Sequence, residues 1–191
     1  MNKDLYIIAD VSGSMNEMGK VYIQTGLLRY AASLRVLDPK YVDISIRFFQ
    51  WSDSISEIVV EDGGVVPLLT SKGRSDLTSL STFLSEALNS SRFLRVLLLS
   101  DGFFSSLDCA GFLKEMNLFS NLMLRTVAVG ADADHVRLKS ISSNKEVFLA
   151  EDISTAIDSI IWTSEHGVSY PESIHQIRRT PPVKSEEDWD V

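Results

Sequence analysis

The sequence predicts an α/β protein with a mostly parallel central sheet and helices on both faces. Three observations predict it. Apolar runs of strand length alternate with stretches of helical periodicity over residues 1–162. One of them, Phe93-Leu94-Arg95-Val96-Leu97-Leu98-Leu99, is almost unbroken, as a central parallel strand covered on both faces should be. The first run ends in Asp10-Val11-Ser12-Gly13-Ser14-Met15 and leads into a helix. That turn belongs at the carboxyl end of a strand, where open α/β sheets bind their ligands.

Residues 4–10 make the first strand, built on Leu5-Tyr6-Ile7-Ile8-Ala9. Gly19 to Leu37 reads as a helix. Ile23, Leu27, Ala31 and Leu34 recur at helical spacing toward the core, and Lys20, Gln24 and Arg35 are left for solvent. Asp38-Pro39 ends it. Tyr41 to Trp51 alternates, with Val42, Ile44, Ile46 and Phe48 opposite Asp43, Ser45 and Arg47, as in a half-covered strand near a sheet edge. Ser52-Asp53-Ser54 turns the chain into an antiparallel partner strand, Ile55 to Glu61, which Gly63-Gly64 breaks. A loop over 65–75 ends in Lys72-Gly73-Arg74-Ser75. Asp76 to Asn89 places Leu77, Leu80, Leu84 and Leu88 on one helical face. The central strand follows and closes in Ser100-Asp101-Gly102. Phe104 to Asn117 is helical around Gly111, and Leu122 to Val129 is a buried strand closed by Gly130. His135 to Ser142 is a short helix, Val147-Phe148-Leu149 a short strand, and Ile153 to Trp162 the last helix.

With 191 residues the chain suits one α/β domain with a good core. Hydrophobic residues at 45% and charged residues at 23% exclude global disorder. A net charge of −8 repels phosphate backbones, so nucleic acid is not an expected partner, and it favours any cation site through the long-range field. Cys109 is the single cysteine, so no internal disulfide forms. The first apolar run stops at Asp10, too short for a signal peptide or a membrane span. The expected location is the cytoplasm, with no membrane partner. Met1 and a tail outside the core make a complete protein the expectation. In that tail, 163–191, periodicity stops. Its Pro181-Pro182, Arg178-Arg179 and acidic end around Trp189 read as an extended or disordered segment, with a docking peptide as the alternative.

Asp10, Ser12 and Ser14 offer hard oxygen donors suited to Mg²⁺ or a similar cation, and Gly13 lets the loop fold tightly enough to aim both hydroxyls at one centre. The plainer reading is a helix N-cap, with Ser12 or Ser14 bonding free amides. Two more loops favour the metal reading. In a parallel sheet Asp101 lies on the same edge as Asp10, and Ser75, just before a helix, can reach the same place. Five oxygen-bearing side chains, Asp10, Ser12, Ser14, Ser75 and Asp101, then ring one point. The three histidines lack metal-ligand spacing, Cys109 has no partner for nucleophilic work, and Lys72-Gly73-Arg74 lacks the Gly-Lys-Ser/Thr ending of a phosphate loop.

Asp10-x-Ser12-x-Ser14, the Gly73-Arg74-Ser75 loop and Leu99-Ser100-Asp101-Gly102, in this order, resemble a von Willebrand factor A (vWA) domain. Val127 to Asp134 is similar to that family's fifth strand and exit loop. The resemblance covers nearly all of 1–162 and implies a Rossmann-like three-layer fold, with a mostly parallel six-stranded sheet and one antiparallel edge strand. It also implies a metal-ion-dependent adhesion site (MIDAS) holding Mg²⁺, or Mn²⁺ or Ca²⁺. There Ser12, Ser14 and the third-loop hydroxyl would bind the metal directly, and Asp10 and Asp101 largely through water. The family usually has Thr in the third loop; here Ser75 matches, with Thr78 as the other candidate. Neutral hydroxyls leave the cation short of negative charge, so its open position favours a partner's Asp or Glu. The chain is expected to be a protein-binding adaptor without catalysis. Small cytosolic vWA proteins resembling it occur in bacteria beside MoxR-type AAA ATPases, or beside kinases and phosphatases of stress and conflict systems. Met15, Phe103 and Phe104, and more distantly Met18, are candidate partner contacts. The alternative is a Mg²⁺-dependent phosphatase or phosphotransferase with Asp10 at the end of strand one. Against it, Ser12 stands where such enzymes carry a second Asp as general acid.

Overall fold

A computed structural model describes residues 3–61, 64–143 and 145–163. Among the described residues six strands form one sheet: β1 (Lys3–Asp10), β2 (Ile44–Trp51), β3 (Ile55–Glu57), β4 (Leu94–Ser100), β5 (Leu122–Ala128) and β6 (Val147–Leu149). Their spatial order is β3-β2-β1-β4-β5-β6. All neighbours run parallel except β3, the antiparallel edge strand paired to β2. Five α-helices connect them: α1 (Lys20–Leu37), α2 (Leu77–Ser90), α3 (Ser106–Met116), α4 (His135–Ile141) and α5 (Ile153–Trp162).

Alternation along each strand divides the core in two. On one face Leu5, Ile7 and Ala9 of β1 pack with Leu28 and Ala31 of α1 and Ile157 and Ile160 of α5. On the other, Tyr6 and Ile8 join Val96 and Leu98 of β4 beneath Leu80 and Leu84 of α2, Phe112 of α3 and Leu138 of α4. This is the expected three-layer α/β architecture. β4 is buried along its whole length, as its unbroken apolar run requires. Among the described residues no helix is long and apolar enough to cross a membrane. The tail expected from 163 onward lies, beyond Thr163, outside the described residues.

Three elements differ from the sequence reading. α1 turns Val21, Gln24, Thr25, Leu28, Ala31 and Leu34 inward, and its first residue Lys20 is buried too, whereas Ile23 is exposed and Leu27 only half-buried. The predicted stripe was rotated because it left Lys20 and Gln24 to solvent. In the fold Gln24 donates to the Leu99 carbonyl at 2.9 Å, and Lys20 finds carboxylates. β2 starts at Ile44 because Pro39–Tyr41 form a 3₁₀ turn, and Val42 is exposed. β3 stops at Glu57, four residues early.

That 3₁₀ turn is clamped to α5. The buried Tyr41 hydroxyl donates to Asp158 at 2.5 Å, and Lys40 pairs with the same carboxylate at 3.1 Å. Burial, and next the bond to Asp158, push the Tyr41 phenol up to about 12. The folded state therefore holds this proton where the unfolded chain releases it, so its contribution is complete below about pH 10 and is lost as pH rises toward 12. Tyr41→Phe should lower stability by about 1.5 kcal/mol at neutral pH, as for a bond to a charged acceptor. It should also flatten the loss between about pH 10 and 12, read by denaturant melts across that range.

Candidate metal centre

Because β1, β2 and β4 are parallel neighbours, their carboxyl ends share one edge. Asp10 ends β1 and Ser100 ends β4. Backbone bonds then tie the third loop onto the first. Gly13 N–H donates to the Gly73 carbonyl at 3.0 Å, and Lys72 N–H to the Val11 carbonyl at 2.7 Å. Gly73 sits at φ +76° beside the Asp53 carboxylate, which accepts from Arg74 N–H at 3.1 Å. These contacts fold residues 72–75 over the Asp10 loop.

The Asp10 carboxylate is fully buried and is the hub of the site. One oxygen accepts from Ser12 N–H at 2.9 Å. The other accepts from the Ser75 hydroxyl at 3.1 Å and the Ser100 hydroxyl at 2.7 Å. Burial raises its pKa above the usual carboxylate value; the bonds from Ser100 and Ser12 act against that, and Asp101's charge adds to it. The Ser12 and Ser14 hydroxyls lie 3.1 Å apart. Ser12 stands at the N-cap of the 3₁₀ segment Gly13–Gly19 yet makes no capping bond through its side chain. Ser12, Ser14 and Ser75 line an open cleft of about 410 Å³, with Gly13, Arg74 and Phe103. Thr78 lies outside this cleft, exposed in the first turn of α2, so Ser75 is the third-loop hydroxyl at the site.

Asp101 lies on this edge, one residue after Ser100, but its carboxylate is turned to a different partner. One oxygen accepts from Phe103 N–H at 3.2 Å; the other receives the Lys20 ammonium at 2.9 Å. Lys20 also reaches Asp132 in the β5–α4 loop at 2.7 Å. Its side chain is wholly buried. Burial opposes the ammonium, but the bonds to Asp132 and Asp101 outweigh it and its pKa lies above the usual lysine value. The same pairing holds Asp132 below the usual carboxylate range.

The donor set is therefore three hydroxyls at a shared cleft, one of them bonded to the buried Asp10 carboxylate, with the buried Asp101 close enough for its charge to act on Asp10. Hard, mostly neutral oxygens of this kind fit a Mg²⁺-like cation that keeps water and an external ligand. Among the described residues no three His, Cys, Asp or Glu side chains gather into a metal cage.

No known protein-family profile matches the sequence, and no curated protein matches it. Solved structures do. The ArnB paralog VWA2 from Sulfolobus acidocaldarius aligns at TM-score 0.59 and 17% identity, over 85% of this chain and 45% of that one. The vWF domain of the type V pili tip protein Mfa5 from Porphyromonas gingivalis aligns at TM-score 0.60 and 10% identity, over 88% of this chain and 97% of that one. The fold is that of a vWA domain. Proximal thread matrix protein 1 from the mussel byssus, solved with a zinc-occupied MIDAS motif, aligns at TM-score 0.54 and 11% identity, over 84% of this chain and 47% of that one. The chain thus spans under half the length of the archaeal and byssal proteins and nearly all of the pilus domain.

Within this vWA fold two partner-contact expectations are corrected. Met15 is wholly buried in the core between the sheet and α1, because the 3₁₀ segment folds it inward. Phe104 also borders the cleft, but it is 4% exposed and packs on Trp51, with ring centroids 6.4 Å apart, so it offers a partner almost no surface. Phe103 is 44% exposed on the cleft rim, and Met18 is exposed as well. Lys20, Ser100 and Asp132 were missed as site residues. Ser100 lies within Leu99-Ser100-Asp101-Gly102 and Asp132 within the exit loop after β5, so both stand beside recognisable motifs. Lys20 had no local signal, since its partners lie 81 and 112 residues away. Cys109 is buried, which raises its thiol above the usual value.

The glycines of two site loops should respond differently to a methyl group. At Gly102, φ +78°, a Cβ would lie 2.8 Å from the Asp134 carbonyl and 3.0 Å from Leu138, with no flexible tip to move. Gly102→Ala should destabilise by on the order of 2–3 kcal/mol in thermal melts. At Gly73 the obstacle is the exposed tip of Asp53, which can rotate away only by giving up its bond to Arg74 N–H, so Gly73→Ala should cost about 2 kcal/mol, the left-handed backbone penalty plus that exposed bond.

Proposed function

We propose that this chain is a metal-dependent protein-binding module. Its cleft takes a divalent cation, Mg²⁺ or Mn²⁺ or Ca²⁺, on the Ser12, Ser14 and Ser75 hydroxyls, with Asp10 and Asp101 supplying negative charge from behind. The observation that carries this reading is the meeting of Ser12, Ser14 and Ser75 from two distant loops at one open cleft, with the buried Asp10 carboxylate bonded to Ser12 N–H and the Ser75 hydroxyl beneath them. The zinc reported in the MIDAS motif of the byssal protein supports a divalent ion on this fold. A cation held mainly by neutral hydroxyls attracts an anionic oxygen, so the partner offers an Asp or Glu. Phe103 on the rim would give that partner an apolar contact.

The module acts without catalysis of its own. A nucleophilic role for Asp10 would need an oxygen open to the cleft, and its carboxylate is fully buried beneath the serine hydroxyls. Ser12 cannot serve as a general acid in its place. An adaptor in a bacterial cytoplasm, working with a MoxR-type AAA ATPase or a kinase or phosphatase, is the setting proposed for it.

Two measurements test the reading. Mg²⁺ or Mn²⁺ at ten times its Kd should stabilise the protein by about 1.4 kcal/mol, and the gain should vanish in Ser14→Ala and Asp10→Ala. Capture from extract should yield a partner that is lost with EDTA and with Ser14→Ala. A partner retained equally under all three conditions would remove the metal bridge. Phosphatase turnover with Mg²⁺ that disappears in Asp10→Asn would replace it with the enzyme reading.

A further inference from the structure

Lys20 is a buried positive charge that reaches the candidate cation cleft through Phe103, a residue of its lining, and through Asp101 on the same sheet edge. Its ammonium lies 2.9 Å from Asp101 and 2.7 Å from Asp132, its side chain has no solvent exposure, and the Phe103 ring centroid stands 5.0 Å from it. The packing around it is close. A Cβ at Gly130 would come within 2.9 Å of the Lys20 Cε, so the glycine leaves the space in which the side chain lies. An isolated buried ammonium is costly, and two carboxylates from different strand ends offset that here.

We propose that Lys20 is a resident counter-cation of the candidate metal site, competing with an incoming divalent ion for the charge of Asp101 and so setting its affinity. This rests on the metal-binding reading above. With Lys20 in place, one of the two carboxylates behind the cleft is already neutralised. A divalent ion entering beside Asp10 then meets a like charge across Asp101, in surroundings too buried for water to screen it fully. Removing the ammonium returns Asp101 to the divalent ion. Asp132 works in the opposite sense: it draws part of the ammonium's charge away from Asp101, so neutralising it leaves Lys20 more firmly on Asp101. Lys20 is thus a positioning and affinity-setting residue rather than a ligand.

The test is a Mn²⁺ titration of the full chain, reading the free aquo ion by electron paramagnetic resonance. It uses the wild type, Lys20→Met, Lys20→Gln, Asp132→Asn and the Lys20→Met/Asp132→Asn double variant. Melting curves identify the variants that fold, and Lys20→Gln keeps a donor for Asp101 if Lys20→Met does not fold. Both Lys20 variants should bind Mn²⁺ about tenfold more tightly, the order expected when a partly screened like charge is removed. Asp132→Asn should weaken binding by about threefold in the wild-type background and by less once Lys20 is gone, a coupling that the double-variant cycle isolates. Mn²⁺ bound by the wild type with equal or lower affinity in the Lys20 variants overturns this proposal and leaves the metal module standing. Binding that emerges only in the Lys20 variants supports the counter-cation role and overturns metal dependence in the wild type. No binding in any folded variant overturns both.

Discussion

The parallel pairing of β1 with β4 is the constraint on which everything else rests. Leu5 to Ala9 run beside Arg95 to Leu99 in step, so the two strands end together. Asp10 and Ser100 then come into hydrogen-bond contact although 90 residues separate them. A parallel pair needs a long crossover, and here that crossover carries α1, β2, β3 and α2. The third loop is part of the same crossover and returns over the first. The site is therefore a consequence of strand direction. Had β4 run antiparallel, its Ser-Asp-Gly end would lie at the far side of the sheet.

Bringing acids together inside a sheet edge creates an electrostatic problem, and the two carboxylates solve it differently. Asp10 is met by three neutral donors, one amide and two hydroxyls, which stabilise its charge without cancelling it. Asp101 is met by a full positive charge from Lys20. The first arrangement leaves the charge of Asp10 uncancelled, whereas the second neutralises that of Asp101. The loop bearing Asp132 joins the second arrangement, and its neighbour Asp134 donates its N–H to the Asp101 carbonyl at 2.7 Å. The β5–α4 loop is thereby fixed to the same rim through both backbone and side chain.

Much of this was legible in the sequence, for identifiable reasons. The unbroken run before Ser100 marked a central strand because burial on both faces removes polar alternation. Asp10, Ser12 and Ser14 stood out because polar residues directly after such a run sit at a strand's carboxyl end. Lys20 and Gln24 were misjudged because their inward direction is stabilised by groups no local pattern reveals: the Leu99 carbonyl and two distant carboxylates. That error rotated the whole α1 stripe and hid the buried roles of Val21 and Leu28. Met15 and Phe104 were misplaced for the converse reason. Apolar residues beside a polar motif look like contacts on offer, yet the tight turns after β1 and β4 fold them under the loops they adjoin.

The two outer strands of the sheet are also its shortest, three residues each at β3 and β6. A strand of that length presents few open amides and carbonyls, and β3 carries Glu57 paired with Arg47 on its exposed side. Among the described residues, each margin offers a second molecule only a three-residue template for extending the ladder. Fibrillar stacking and strand exchange between copies are thus disfavoured by construction, even with a sheet interior this rich in leucine and isoleucine.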